Sequence, residues 1–537
     1  MNEKFERWYT LFLLYLKRDW KKIMAWVVGL ALFSAAFVPA FEEIAKGEGL
    51  QAMFETLQNP AMIAMVGPTP IETAVKYTLG AMYSHEMLLF CGLFAMVLSA
   101  LHVVGHTRKE EDLGLTELVR SFQIGRQANS LAVMIEILFI NIILASVIGG
   151  IMLSFGAESI SVEGSLLFGA SIGMAGILGA VIALVMAQIM PVSSGATGTT
   201  LGIIGLLYIV RAGTDVSNVD LSMINPLGWI YLTYPFTENN WTFHIFALIF
   251  SIVLVGIAFS LEGARDMGAG FLPEREGRDH AKKSLLSVRG LFMKINKGVI
   301  FSWLIAFVVM GAAYGSIYGD MQTFLSSNEM LKQMFTQSGY SIEESFTGMI
   351  MVVMTALVTI LPIVIVNRLF AEESRLHLSQ LFATKVTRSQ LYWNSIALAI
   401  FAGLVGVLLA TGGLGGTAIT TMDGQLSMDI VDFLAAGFNF LPSVLFFTSL
   451  AALTLGWAPK LGKVVYIYLA YSFLLNYFGS ILDLPEWFSK TAIQSWIPRM
   501  PIEEFNAPIF FTIILISITL LIIGYIGYNR RDMIEGA

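Results

Sequence analysis

Two kinds of residue in this chain have the type and spacing to do chemistry. The first is Glu136, which interrupts the apolar run LAVMIEILFINIILASVIGG at 131–150 and is the one acid of 39 that the sequence sets well inside a hydrophobic segment. A carboxylate in such a place marks a proton, ion or substrate site, or a hydrogen bond that fixes helix packing. Helical rise puts Glu136 about two turns inside its segment and His102 about one turn inside the preceding one, so the two can pair, with Asn141 as a third member. The second kind is a doublet of acids that occurs twice, Glu110-Glu111 and Glu372-Glu373. Each doublet opens a short amphipathic stretch, as acids do at helix N-termini, and each stretch closes on a basic residue, Arg126 or Arg388. Leu113, Leu115, Leu118 and Val119 in the first stretch, and Leu376, Leu378, Leu381 and Phe382 in the second, form apolar surface that needs a partner. That partner is either lipid headgroups or two copies of a motor subunit.

Other chemistry is missing. A phosphate-cradling G-x-x-x-x-G-K-[ST] loop is absent: Gly456 to Gly462-Lys463-Val464 has the wrong spacing and ends in valine, and TGGLGGTA at 411–418 has no lysine. Neither a Ser-His-Asp order nor HExxH stands out, and the six histidines are scattered. The single cysteine, Cys91, excludes a disulfide or a cysteine metal site within the chain. The expectation is a non-enzyme that binds no cofactor or metal of its own; if ATP powers it, another chain binds the ATP.

The elements that position these residues are membrane helices. Of the 537 residues, 56% are hydrophobic and 13% charged, against roughly 25% charged in a soluble domain. Mean hydropathy is +0.72. Apolar runs of bilayer length predict about twelve spans, near 21–42, 86–106, 128–154, 164–190, 199–213, 241–261, 298–318, 346–366, 391–412, 429–458, 464–482 and 508–528. With both termini in the cytoplasm, that side holds 26 of the 32 Lys and Arg residues, and the outer side holds Lys46, Lys76, Arg211, Lys332, Lys490 and Arg499. The net charge of −7 therefore divides into about +10 inside and −16 outside, with Glu136 supplying the rest. Residues 1–20 read as an amphipathic cationic helix at the inner leaflet, and Glu3, Glu6 and Asp19 argue against a mitochondrial transit peptide.

The chain repeats. Trp26 and Ala35-Ala36 match Trp303 and Ala312-Ala313; EEDLGLTELVRSFQIGR at 110–126 aligns without gaps to EESRLHLSQLFATKVTR at 372–388; and Pro235, Asn240 and Arg265-Asp266-Met267 match Pro501, Asn506 and Arg531-Asp532-Met533. Ordered agreement at three places implies duplication. The expected fold is an all-α polytopic membrane protein of two fused six-helix repeats with the same orientation, enclosing a central path. The halves fall at 21–261 and 298–528, joined by a cytoplasmic linker at 262–297 that includes a second amphipathic helix, and followed by a tail at 529–537. Glycines 164, 169, 173, 176 and 179 have the small-residue spacing of close helix packing. The outer loop 43–85 is long and acidic, whereas its counterpart 319–345 is much shorter.

The stretches NPAMIAMVGP (59–68), the two acidic segments, MINPLGWIYLTYPFTENNW (223–241), RDMGAGFLP (265–273), IPRMPIEEF (497–505) and GYNRRDM (527–533) resemble the ABC-2 type permeases, in particular the exporters of polyketide antibiotics that include tetronasin-resistance proteins. The resemblance covers the chain in order. It implies an efflux permease of the plasma membrane, bacterial and multi-pass, with both halves fused. It also implies a separate ATP-binding subunit, in two copies, carrying ATP and Mg and powering the outward movement of hydrophobic or amphipathic compounds through this chain. It further implies that the acidic segments are coupling helices, through Glu110, Glu111, Glu117, Arg126, Glu372, Glu373 and Arg388. Leu376 stands where a glycine is common, Ser379 faces Glu117, and Lys385 stands where proline is common, so the two segments need not couple equally. Spans two and five of each half would line the substrate path, making Phe90, Phe94, Tyr208, Met351, Met354, Tyr468 and Tyr471 candidates, and the outer segments before spans six and twelve would be re-entrant. The alternatives are an ion-coupled secondary multidrug transporter and an ABC exporter of a lipid or peptide. No nucleic-acid partner is expected.

Overall fold

The computed structural model describes residues 3–47, 49–58, 60–273, 277, 279–320, 341–422, 428–478 and 485–533. Among them every regular element is helical. The chain divides into two compact units, 1–277 and 278–537. Eleven helices among the described residues are long and apolar enough to cross a membrane. The expected span at 464–482 is a helix of 15 residues, Val464–Phe478, and its remainder lies outside the described residues, as do 321–340 of the outer loop 319–345, Lys332 among them, and the end of the tail.

The first unit contains α1 (Trp8–Ala35), α2 (Leu79–His106), the short α3 (Arg108–Asp112) and α4 (Leu115–Arg120), then α5 (Ala128–Ser154), α6 (Val162–Ile189), α7 (Ser193–Ser217) and α8 (Thr242–Ala264). Helix α6 is the axle of the unit, packed on α2, α5 and α8. Its glycines permit this, because a Cβ at Gly169 would meet the Ala145 carbonyl oxygen at 2.3 Å and one at Gly179 would meet that of Met96 at 2.2 Å. Such backbone approach is how helices associate where no hydrophobic effect drives them together. From Trp8 onward, the basic segment expected as a separate helix over 1–20 runs unbroken into the first span as α1, because Leu11 and Tyr15 bury in the unit's core while Arg18 and Asp19 find partners within it.

The second unit contains α9 (Val288–Ser316), α10 (Ile342–Ser374), the short α11 (His377–Phe382), α12 (Arg388–Thr421), α13 (Ile430–Asn439), α14 (Leu441–Trp457), α15 (Val464–Phe478) and α16 (Ala507–Arg530). The amphipathic stretch at 282–294 likewise merges largely with its span, in α9. The long tenth span expected at 429–458 is present as one stretch, Ile430–Trp457, jointed at Phe440 between α13 and α14, since Pro442 sits in the first turn of the second and cannot donate the hydrogen bond that continuity requires. The fifth span is longer than the expected 199–213, because an ion pair lets Arg211 and Asp215 stay inside α7.

The outer loop 43–85 is built rather than loose. Short helices Val38–Ile44, Gly49–Leu57 and Pro60–Val66 enclose a small core of Phe54, Leu57, Val66, Tyr77, Ala81 and Met82. Burial and the nearby Glu86 raise the Tyr77 hydroxyl above its ordinary range, keeping it a neutral partner for His85 at 3.0 Å.

Candidate functional site

The acidic segments fold alike in both units. In each, a residue in the left-handed region turns the chain between two helical pieces: Gly114 (φ +72°) before α4 and Leu376 (φ +63°) before α11. The second acid of each doublet then clamps the end of its own unit's last long helix. Arg265, just past α8, makes two parallel bonds to Glu111, both 2.7 Å, and the Gly268 amide donates to the same carboxylate at 2.7 Å. Arg531, just past α16, makes the same two-pronged contact with Glu373. The basic residue closing each segment completes the knot: Arg126 donates to the carbonyls of Glu262 and Arg265, and Arg388 to those of Asn529 and Arg531. A planar guanidinium matched to a carboxylate fixes direction as well as distance, so each acidic segment is rigidly tied to the end of its last helix.

The remaining predicted residues part company. Glu110 and Glu372 are both buried, but Glu110 pairs with Arg18 of α1 at 2.8 Å, whereas Glu372 pairs with Arg368 of its own helix α10 and with His377 of α11. Glu117 lies on the exposed face of α4. Leu113, Leu118 and Phe122 are each 64% exposed, but Leu378 is only 4% exposed, against the expectation that it faces a partner. It packs into the second unit's core, leaving Leu376 as that segment's most exposed leucine. Residue-by-residue reading missed Arg108. This arginine is fully buried beneath α3, near Glu111 and Asp112 and donating to the carbonyls of Pro191, Gly268 and Ala269.

Glu136 and His102 meet as the sequence predicts, with His102 Nε2 3.1 Å from Glu136 Oε2 and both side chains buried. Asn141 does not join them; it donates to Ser99 and to the Ile137 carbonyl. The third member is His106, stacked on His102 at 4.0 Å between ring centroids, with Nδ1 2.9 Å from the His102 carbonyl and Nε2 2.7 Å from Asp19 Oδ2. Arg18 bonds both Asp19 and Glu110, and Tyr15 donates to Asn129 and, at 3.4 Å, to Glu110. A polar chain therefore runs from the doublet of α3 to Glu136 in α5. The one-turn spacing of His102 and His106 was the available signal for it.

A second buried pair lies at the other end of the unit. Arg211, expected on the outer side at the end of the fifth span, is 0% exposed and bonds Asp215 at 2.9 Å, while Ser222 and Tyr231 donate to the same carboxylate. Glu136 is thus not alone as an acid within a long helix. Arg211 also donates to the carbonyls of Ala64 and Met65, the last turn of the helix Pro60–Val66, where a cation complements the helix dipole. Tyr208 covers Arg211 at 4.5 Å and donates to Met65, so it belongs to this lock and not to an open path.

The other path candidates are dispersed. Phe90 packs against the outer-loop core, and Phe94 is half exposed against Phe33. Met351 and Met354 are 0% exposed, and Tyr468 and Tyr471 bond Thr491. Helices α10 and α15 do form an apolar groove of about 390 Å³, but its walls are Val353, Ala356, Leu357 and Ile360 with Tyr466, Leu469, Ala470 and Phe473. The expected helices are present with a different face turned to the space.

Helices of bilayer length, in two halves built around the same clamp, describe a polytopic membrane protein. A family model described as multidrug efflux system permease Rv1217c, C-terminal domain, matches residues 285–529. The chain is also 25% identical over 539 residues to the multidrug efflux system permease protein Rv1217c of Mycobacterium tuberculosis, covering 97% of this chain and 94% of that one. It is a distant, full-length homologue of that permease.

Proposed function

We propose that this chain is the membrane subunit of an ABC exporter that moves hydrophobic or amphipathic, drug-like compounds out of the cell, using ATP and Mg held by a separate subunit present in two copies. The observation that carries the proposal is the recurrence of one clamp, Glu111 with Arg265 and Glu373 with Arg531, on two segments otherwise free to differ. A segment tied so firmly to a long helix passes a push on to it, and a motor that closes symmetrically needs two such handles. The multidrug efflux role in the relative's name fits an apolar groove that discriminates by shape rather than by hydrogen bonds. On this reading both termini and both acidic segments face the cytoplasm of a bacterial cell, and the substrate class extends to polyketide antibiotics.

The cluster of His102, His106, Glu136 and Asp19 favours a second reading, an ion-coupled transporter. Uptake of a fluorescent amphipathic dye into inverted vesicles separates the two. The first reading expects transport to require the co-expressed ATPase and ATP and to survive an uncoupler. Transport that persists without the ATPase and collapses with the uncoupler refutes it.

A further inference from the structure

The cluster around Glu136 is short of a positive centre. His106 Nδ1 lies 2.9 Å from the His102 carbonyl oxygen, which only accepts, so Nδ1 carries the ring hydrogen and Nε2 of the neutral ring carries a lone pair. That lone pair faces a carboxylate oxygen of Asp19 at 2.7 Å. Two acceptors at this distance need a proton or a metal ion to join them. Nearby, His102 Nε2 faces Glu136 Oε2 at 3.1 Å, while Glu136 Oε1 and His102 Nδ1 are buried with no hydrogen-bond partner. One ligand atom from each of His102, His106 and Glu136 lies within 4.8 Å of the other two, and all three residues are buried. Tetrahedral Zn²⁺, with bonds of about 2.0–2.1 Å, sets neighbouring donors about 3.3 Å apart, near the 3.1 Å between His102 Nε2 and Glu136 Oε2, and the wider spacings of the triad, up to 4.8 Å, must close on binding. Charge also closes: Asp19, Glu110 and Glu136 are three carboxylates, and Arg18, shared between Glu110 at 2.8 Å and Asp19 at 3.0 Å, answers one of these charges and leaves two for a dication.

We propose that His102, His106 and Glu136 bind a divalent transition metal of the zinc class, with Asp19 completing the site beside His106 Nε2. Two imidazoles with carboxylates suit zinc and cobalt, not magnesium or calcium. The ligands come from α2 and α5, and Asp19 from α1, so the ion pins three helices of the first unit at the end that carries the acidic doublet. The second unit has no counterpart: Asn296, Val364, Arg368 and Leu398 align with Asp19, His102, His106 and Glu136. The site is independent of how transport is powered.

The test uses the full chain, purified in detergent with an affinity tag that lacks histidine and stripped with a chelator. Titration with Co²⁺ is read by the visible absorption of tetrahedral cobalt, and Zn²⁺ by its retained metal content and the shift in melting temperature. The expected result is a single equivalent bound, lost in Glu136→Gln and in His106→Gln, weakened about 10–100-fold in Asp19→Asn, and unchanged in His280→Gln. Size-exclusion profiles recorded without metal show whether each variant is folded, and His102→Asn serves if Glu136→Gln is not. Absence of a tetrahedral cobalt spectrum in the wild type, or binding that survives in folded Glu136→Gln and His106→Gln, overturns the proposal and leaves a proton between His106 and Asp19.

Discussion

The two acidic segments share a clamp and differ in almost everything around it. In the first unit the segment sits on a charged bed: Arg108 is buried beneath it, Glu110 reaches Arg18, and the chain continues through Asp19 and His106 to His102 and Glu136. In the second unit Phe370 stands at the position of Arg108, Phe292 at that of Tyr15 and Leu398 at that of Glu136, while Glu372 turns to Arg368 and His377 on its own surface. After duplication the surroundings were free to change polarity, and the bidentate tie to the last helix was not. The tie is therefore the part that both halves need. The polar chain is something the first half does alone.

The comparison can be broken in several places. The largest effect is expected at the Arg211 lock, which has no counterpart among the described residues of the second unit: Asp215→Ala strands a buried arginine and costs about 3–5 kcal/mol, read as a lower melting temperature and faster proteolysis of the outer loop near 60–78. The clamps come next. Glu111→Gln and Glu373→Gln should each cost about 3 kcal/mol, and replacing both partners, Glu111→Met with Arg265→Met, should cost less than the two single changes combined. If only one half's clamp proved essential to transport, the case for two equal handles would end. Glu136→Gln should cost about 1–3 kcal/mol, because His102 keeps only a neutral acceptor.

Smaller still is the turn. Leu376 holds a left-handed backbone that Gly114 adopts freely, so Leu376→Gly should stabilise the second unit by about 1 kcal/mol and Gly114→Leu should destabilise the first by a similar amount. Both are measurable as opposite shifts in melting. Leu118→Ser with Phe122→Ser should move stability by less than about 0.5 kcal/mol, yet, if the proposed motor subunit docks on this face, abolish its capture in a pull-down. Unchanged capture would mean that lipid, not a motor, covers this face.

Much of the fold was legible. Apolar runs of bilayer length mark helices because a buried backbone must satisfy itself, and eleven long helices appear near the expected positions. What escaped were boundaries set by partners: α1 continues because Arg18 and Asp19 are paired, and α7 extends because Arg211 and Asp215 neutralise each other. The site was legible in pieces. Glu111, Glu373, Arg126, Arg388 and the two Arg-Asp-Met triplets were all visible as matching text, but nothing in the spacing joined Glu111 to Arg265 across 154 residues. The Glu136–His102 pair was within reach because helical rise places both near one depth; His106 and Asp19 depended on how α1 and α2 face each other. The path candidates, taken from the spans that the resemblance implies, could not be narrowed by residue type. Methionine and phenylalanine look the same in a core as on a groove wall, and Met351 and Met354 are core.

The clamp has a mechanical consequence. Helix α8 has 23 residues and α16 has 24, so each is a rod about 35 Å long, fastened at one end by an arginine fork and entered at the other from a folded outer segment. A rod held this way is stiff along its axis and keeps its angle to the segment that fastens it. A tilt of a few degrees imposed on the acidic segment therefore arrives on the opposite face as a sideways sweep of a few ångströms. In the first unit that sweep reaches the stretch where Tyr231 touches Asp215, so the outer lock sits at the far end of the same beam.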